Sequence, residues 1–239
     1  MKKIAIMLLG ASIAALAGKT EETVVQYLED GQFSLAQAEV KKISPKGDEL
    51  IRMEGFLYHG AGMADSALVY LRQAYETTPK DPRVSLRLAE VLVWKKDFAH
   101  ARTIVDAVSV KDVQKDARPW EPGTRRANIY LYLQELQKAQ DAFQSVAADP
   151  TTPENWGLAV RVYRSQIAAW QKDFPRSILL ADSVLRNAPG QVQASLIKGE
   201  VLEWQGKYAE ARNTYTSALQ KHPDDWQLRQ RLEKLSWVK

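Results

Sequence analysis

A helix-pair pattern that recurs along the chain is the feature that most restricts its fold. In the stretch 195–223, small and apolar residues occur at helical spacing up to Trp204, Gly206 interrupts the pattern, and a second apolar stripe runs from Tyr208 to Leu219. Glycine is common where a helix ends, and apolar residues spaced by three and four lie on one helix face. The stretch therefore predicts two short amphipathic helices, which need similar neighbours to cover their apolar faces.

Five further copies of this pattern precede the stretch. We use the small residue Ala211 in the second helix as a reference residue, and each copy has a small residue at the equivalent place: Ala36, Ala67, Ala101, Ala139 and Ser177. Consecutive reference residues are separated by 31, 34, 38, 38 and 34 residues. Twelve places before the reference, five copies again carry a small residue: Gly55, Ala89, Ala127, Ser165 and Gly199. Small residues at both places predict that the two helix backbones of a pair approach closely.

The pattern resembles the tetratricopeptide repeat (TPR) over residues 20–225, and Pro79, Pro189 and Pro223, each twelve residues after a reference residue, complete the resemblance. It implies an all-α fold, a right-handed α-solenoid of about six helix–turn–helix repeats. A last amphipathic stripe predicts a C-terminal capping helix over 225–237. The two spacings of 38 residues predict longer connections near 111–123, expected as an extended loop, and near 149–156.

The first residues have the features of a secretory signal peptide. A basic start is followed by an apolar run and by Ala15-Leu16-Ala17, a sequence typical of a cleavage site. We expect a signal peptide over 1–17 and a mature solenoid domain over 18–239 in a bacterial periplasm, without a transmembrane segment. The alternative is that this run is the first helix of the solenoid. The chain has no cysteine, which excludes a lipid-anchored lipoprotein and disulfides.

Composition and motifs argue against several functions. The formal net charge of +4 falls to +2 once Lys2 and Lys3 are removed with the signal peptide, and no basic cluster indicates nucleic-acid binding. The three histidines fall in different repeats without metal-ligand spacing, and nucleophile or phosphate-binding motifs are absent. Glu90 and Glu200 are at equivalent places three repeats apart, so they are not expected to act as paired acids. We therefore expect no enzyme activity, no metal and no cofactor.

A candidate binding surface follows from the resemblance, because the first helix of each TPR pair lines a concave groove. Two columns fall on these helices. The aromatic column, seven places before the reference, is Trp94, Tyr132, Trp170 and Trp204, and the polar column, eleven places before it, is Phe56, Glu90, Asn128, Gln166 and Glu200. Aromatic rings beside polar groups suit a sugar chain, whose C–H faces stack on indoles, or a peptide anchored by apolar side chains. The alternative is that the tryptophans fold over the turns and fill the core.

A narrower resemblance concerns the strings AEVLVWKKDFAHAR and GEVLEWQGKYAEAR. They are similar to the periplasmic TPR region of YaiO-like outer-membrane and exopolysaccharide-export proteins, without the barrel. We expect an exported, non-catalytic scaffold that mediates protein–protein interactions in assembly or secretion at the cell envelope. The alternative is a glycan-binding module of an exopolysaccharide export or biofilm system.

Overall fold

The computed structural model describes residues 20–28, 30–43, 47–116 and 118–237, and within these ranges it contains helices and turns but no strand. The predicted signal peptide over 1–17 lies outside the described residues. In the same ranges, no helix combines the length and the apolar character that a membrane crossing requires.

Six helix pairs account for most of the described chain, and they confirm the predicted all-α repeats. One short helix lies between the third and fourth pairs, and a last helix follows the sixth pair. The helices are α1 (20–28), α2 (Phe33–Val40), α3 (Asp48–Gly60), α4 (Ala64–Thr77), α5 (Pro82–Trp94), α6 (Phe98–Ala107), α7 (Val110–Gln114), α8 (Trp120–Tyr132), α9 (Leu136–Ala148), α10 (Glu154–Trp170), α11 (Phe174–Asn187), α12 (Val192–Trp204), α13 (Tyr208–Leu219) and α14 (Trp226–Ser236).

The small residues of the repeat pattern form the contact between the two helices of each pair. All six reference residues are fully buried, and the small residues twelve places earlier are buried as well. In the sixth pair the approach is so close that a Cβ at Gly199 would lie 2.2 Å from the ring of Tyr215. In the fifth pair the Ser165 hydroxyl instead donates a hydrogen bond of 2.9 Å to the Ser177 carbonyl. Small side chains at these places therefore let the helices of a pair pack backbone to backbone.

All six turns within the pairs have the same geometry. The residue five places before each reference residue has a positive φ, and the next N–H donates to the carbonyl five residues back, as from Lys207 to Leu202 at 2.9 Å. This bond is the mark of a Schellman turn, in which a left-handed residue ends the helix. Glycine occupies the left-handed position in three turns, whereas Lys96, Gln134 and Lys172 occupy it in the others.

Of the predictions for the two long spacings, the longer connection after the third pair is confirmed, but its extended-loop character and the second long connection were wrong. The region expected as an extended loop contains α7 and the start of α8, where the buried ring of Trp120 packs 4.8 Å from that of Trp156. The second spacing lengthens a helix rather than a connection, because α10 has 17 residues whereas α8 and α12 have 13. In a helix, the additional residues of these repeats hydrogen-bond their backbone N–H and C=O groups to one another, whereas an irregular loop has no such regular partners.

The helices fall into two compact units, which we describe separately. Unit 1 ends at Asp116 and contains α1 to α7, and unit 2 contains α8 to α14. In unit 2, α14 packs on the sixth pair, because Leu228 and Leu235 join Leu202, Tyr215 and Ala218 in one buried apolar cluster. A second cluster, around Ile197 and Val201, joins the fifth and sixth pairs. Each pair in this unit therefore completes its core with its neighbour.

Candidate functional site

The aromatic column lies at the surface in both units. In unit 2, Tyr132 is 61% exposed and Trp170 and Trp204 are each 54% exposed, and in unit 1, Trp94 is 39% exposed. Each residue lies at the end of a first helix, just before the turn. These side chains are therefore accessible to a ligand, and their assignment to a binding surface stays a prediction.

In unit 1, the polar column is already engaged within the fold. Phe56 is fully buried with the Arg87 guanidinium 4.1 Å from its ring centre, so its prediction as a surface residue was wrong. Glu90 Oε2 lies 2.9 Å from His59 Nε2, and the imidazole stacks on Trp94 with ring centres 4.9 Å apart. Trp94 is thus held by a neighbour from the preceding first helix.

A buried ion-pair network occupies another part of unit 1. Arg83 donates two hydrogen bonds of 2.6 Å to the carboxylate of Asp116 and one of 3.1 Å to Glu21. Arg52 Nη2 lies 2.7 Å from the other oxygen of Glu21. Burial alone disfavours the charged form of Arg83, but the bonds and charges of Asp116 and Glu21 outweigh it and raise the pKa of the guanidinium. The network joins α1, α3 and α5 to the end of unit 1, so we assign it a structural role.

In unit 2, the first helices enclose an open cavity of about 500 Å³. Residues of α8, α10 and α12 and of the turn before α12 line it: Leu131, Ala159, Val162, Tyr163, Gln166, Trp170, Gln191, Gln193 and Ile197. Two of the residues predicted from the sequence, Gln166 and Trp170, are brought together here. The other predicted residues of this unit, Asn128, Tyr132, Glu200 and Trp204, do not line the cavity.

The cavity lies where the polar column lacks the arginine that covers it at two other places. Arg87 covers Phe56, and Arg231 donates a hydrogen bond to Glu200; each arginine follows the residue that it covers by 31 positions. The residue 31 positions after Gln166 is Ile197, which has no charge and a shorter side chain. Gln166 therefore lacks the arginine cover, and both residues line open space. The residue 31 positions after Asn128 is Ala159, which also lines the cavity, so two successive uncharged aliphatic residues at this offset are the sequence signal that could have located it.

The lining chemistry combines an aliphatic floor, two aromatic walls and amide groups, without a charged side chain. Tyr163 is stacked on the buried ring of Phe143, with ring centres 5.2 Å apart. Gln191 is held by its own helix, since its Oε1 accepts a hydrogen bond of 2.6 Å from the N–H of Ala194. Such a site suits a neutral group, because its lining carries no carboxylate, ammonium or guanidinium group. Among the described residues no group of side chains could hold a metal ion.

Comparisons with solved structures place this geometry among helical-repeat proteins. PilW, a widely conserved type IV pilus biogenesis factor, has a TM-score of 0.67 at 12% identity over 92% of this chain and 98% of its own. PilF of Pseudomonas aeruginosa has a TM-score of 0.62 at 18% identity over 80% of this chain and 83% of its own. MamA has a TM-score of 0.60 at 18% identity over 74% of this chain and 92% of its own. Such identities show a shared fold alone.

Comparisons of sequence point the same way. No curated protein matches the chain, and the narrower similarity to YaiO-like proteins is not shown. Two family models, both described as tetratricopeptide repeat, match residues 58–121 and 164–226 and together span just over half of the chain. With six helix pairs of one geometry, the chain belongs to the tetratricopeptide-repeat family.

Proposed function

We propose that this protein is a non-catalytic scaffold that binds a partner protein through the cavity of unit 2. TPR repeats are typical of scaffolds for protein–protein interactions, and this supports a role in binding a protein. The observation that carries the site is the cavity of about 500 Å³, lined by Trp170 and by aliphatic side chains of three first helices. A pocket with an apolar floor and a few polar groups at its edge suits an anchoring side chain of a partner.

Photo-crosslinking tests this site. A photoreactive phenylalanine analogue at Gln193, an exposed cavity residue, should give an adduct with a protein of the producing cell. The analogue at Leu179, which is exposed on α11 away from the cavity, should not give that adduct. Trp170→Ala should remove the adduct, whereas Trp237→Ala, at an exposed tryptophan outside the cavity, should keep it. An adduct that forms equally from both positions, or none from Gln193, contradicts the proposal.

We further propose that the scaffold works in assembly or secretion at a bacterial cell envelope, after export through the signal peptide over 1–17. The N-terminal sequence pattern and the fold shared with PilF and PilW support this location. Expressed in a Gram-negative host with a C-terminal tag, the protein should appear in the periplasmic fraction with Gly18 as its first residue. A cytoplasmic protein that keeps residues 1–17 contradicts the location.

A glycan-binding module of an exopolysaccharide export or biofilm system is the second candidate. It is favoured by the exposed indole of Trp170 beside the Gln166 amide in an uncharged cavity. An indole face stacks on sugar C–H groups, and amides bind hydroxyls. A glycan array followed by titration of Trp170→Ala and Trp204→Ala tests it: a hit that Trp170→Ala loses and Trp204→Ala, outside the cavity, keeps supports a glycan in the cavity, and an array without a hit removes it.

A further inference from the structure

The charges around the cavity of unit 2 are arranged unlike those of the adjoining repeat. Beside Glu200, the guanidinium of Arg231 from α14 neutralises the carboxylate. In the cavity, the uncharged Gln166 takes the place of Glu200, and the uncharged Ile197 takes the place of Arg231. None of the nine lining side chains carries a charge. A carboxylate or ammonium group that entered the cavity would lose water without gaining a counter-charge from its lining.

The cavity is apolar at its floor and has its polar groups nearer to the surface. Ile197 and Val162 are buried at its floor, while Tyr163, Trp170 and Gln193 are exposed at its walls and edge. A sugar ring that reached this floor would turn some of its hydroxyl groups toward Val162 and Ile197, which offer them no hydrogen-bond partner. An apolar side chain instead gains from burial there, and the amide of Gln193 can bind the N–H and C=O groups of the backbone that carries it.

Building on the proposed function, we infer that the cavity takes an internal, uncharged segment of a partner protein through one bulky apolar side chain. It discriminates against acidic side chains and against a free C-terminal carboxylate. Ile197 determines this specificity, because it lies where the next contact along unit 2 has an arginine, Arg231 beside Glu200.

Capped peptides provide the test with the full chain. The probes are N-acetylated, C-amidated nine-residue Ser/Gly peptides with Phe, Ala or Glu at the centre, and a free-acid peptide that ends in Phe. Binding is followed by the ¹⁵N-indole NMR signal of Trp170, which Trp170→Phe assigns. The central Phe peptide should bind at least tenfold more tightly than the Ala, Glu and free-acid peptides.

Two variants test the role of charge. Ile197→Arg should weaken the Phe peptide at least tenfold and make the Glu peptide the tighter ligand. Because Ile197 is buried, Gln193→Arg, at an exposed position, adds a cation without altering the floor and should shift preference toward the Glu and free-acid peptides. Circular dichroism checks that both variants keep the helical content of the parent.

The outcomes separate this inference from the proposed function. Equal or tighter binding of the Glu or free-acid peptide to the unmodified protein overturns the inference and leaves the scaffold function intact. A Trp170 signal that moves only with a neutral oligosaccharide such as maltoheptaose overturns it in favour of a glycan. A signal that no probe moves also overturns it, while the crosslink at Gln193 decides independently on the protein partner.

Discussion

At the scale of single residues, the six turns show that repeat geometry is more constant than repeat sequence. Gly31, Gly62 and Gly206 adopt the left-handed conformation with φ of 70–73°, and Lys96, Gln134 and Lys172 adopt it with φ of 60–62°. A side chain in this region costs about 1–2 kcal/mol that glycine does not pay. Only the glycine turns could be located from the sequence, because a lysine or glutamine does not indicate a left-handed residue.

Replacement of Lys172 by glycine should therefore stabilise the protein. The relief of strain exceeds the extra entropy of glycine in the unfolded chain, so Lys172→Gly should raise the free energy of unfolding by about 0.5–1 kcal/mol. Gln171, the preceding residue, has φ of −76°, and Gln171→Gly should lower that free energy by about 0.5–1 kcal/mol. Urea unfolding followed by circular dichroism measures both, and a loss of stability in Lys172→Gly contradicts the strain argument.

Gly199 provides a second residue-level prediction, because helix propensity and packing act in opposite directions there. Alanine is favoured over glycine within a helix, but a Cβ at 199 would meet Tyr215 at 2.2 Å. Gly199→Ala should therefore cost about 1–3 kcal/mol of stability. At Gly157 no atom lies within 4 Å of an added Cβ, so Gly157→Ala should instead stabilise by about 0.5–1 kcal/mol.

The third repeat suggests a second substitution that should offset the destabilisation by Gly199→Ala. There, Ala89 and Val105 are at the places of Gly199 and Tyr215. The double variant Gly199→Ala/Tyr215→Val should lose less stability than the sum of its single changes, by about 1 kcal/mol in a double-mutant cycle. Additive losses would show that the Tyr215 ring is not the obstacle.

At the scale of helices, the sequence predicted the pairs well but placed the extra residues of the long repeats incorrectly. Pro122 and Gly123 indicate a loop, yet both lie in the first turn of α8, where a proline needs no N–H partner. The partner of Trp120 had no local indication, since its packing against Trp156 joins segments 36 residues apart. Such tertiary contacts decide between helix and loop, and a single sequence does not reveal them.

The candidate site was predictable to a similar extent. Gln166 and Trp170 came from repeat spacing together with the TPR resemblance, because spacing places them on one face of a first helix and the resemblance implies that first helices line the groove. Phe56 was misplaced because Arg87, from the next first helix, covers its ring. The floor of the cavity, Val162 and Ile197, looked like ordinary core from the sequence, and only the packing of α10 and α12 leaves it open.

The ion-pair network of unit 1 carries a prediction at the helix scale. Asp116→Asn keeps the side-chain shape but removes the charge that neutralises buried Arg83, so it should cost about 2–3 kcal/mol of stability. The exposed pair of Asp65 and Lys95 is the control, and Asp65→Asn should cost less than about 1 kcal/mol. Urea unfolding followed by circular dichroism measures both variants. Equal effects of the two substitutions would show that burial does not strengthen the network.

At the scale of the whole molecule, the stability of each unit is a sum of contacts between neighbouring helices. The helices with the most extensive contacts are consecutive in the chain, and within unit 2 each pair packs on the next, as in α9 with α10 and α11 with α12. In repeat proteins of this kind, each unit depends on its neighbour rather than on one central core. A local loss of packing should therefore spread along the array and fade with distance.

Leu228 on α14 is the position from which this spread can be measured. It is fully buried against the sixth pair, so Leu228→Ala should lower stability by about 2–4 kcal/mol. Leu179→Ala, at an exposed leucine of α11, should change it by no more than about 0.5 kcal/mol. Hydrogen exchange should show the largest loss of protection in α12, α13 and α14, and a smaller loss in α8 and α9, because those helices are two repeats away. An equal loss across α8 to α14 would mean that unit 2 unfolds as one cooperative block, and nearest-neighbour packing would then not describe its stability.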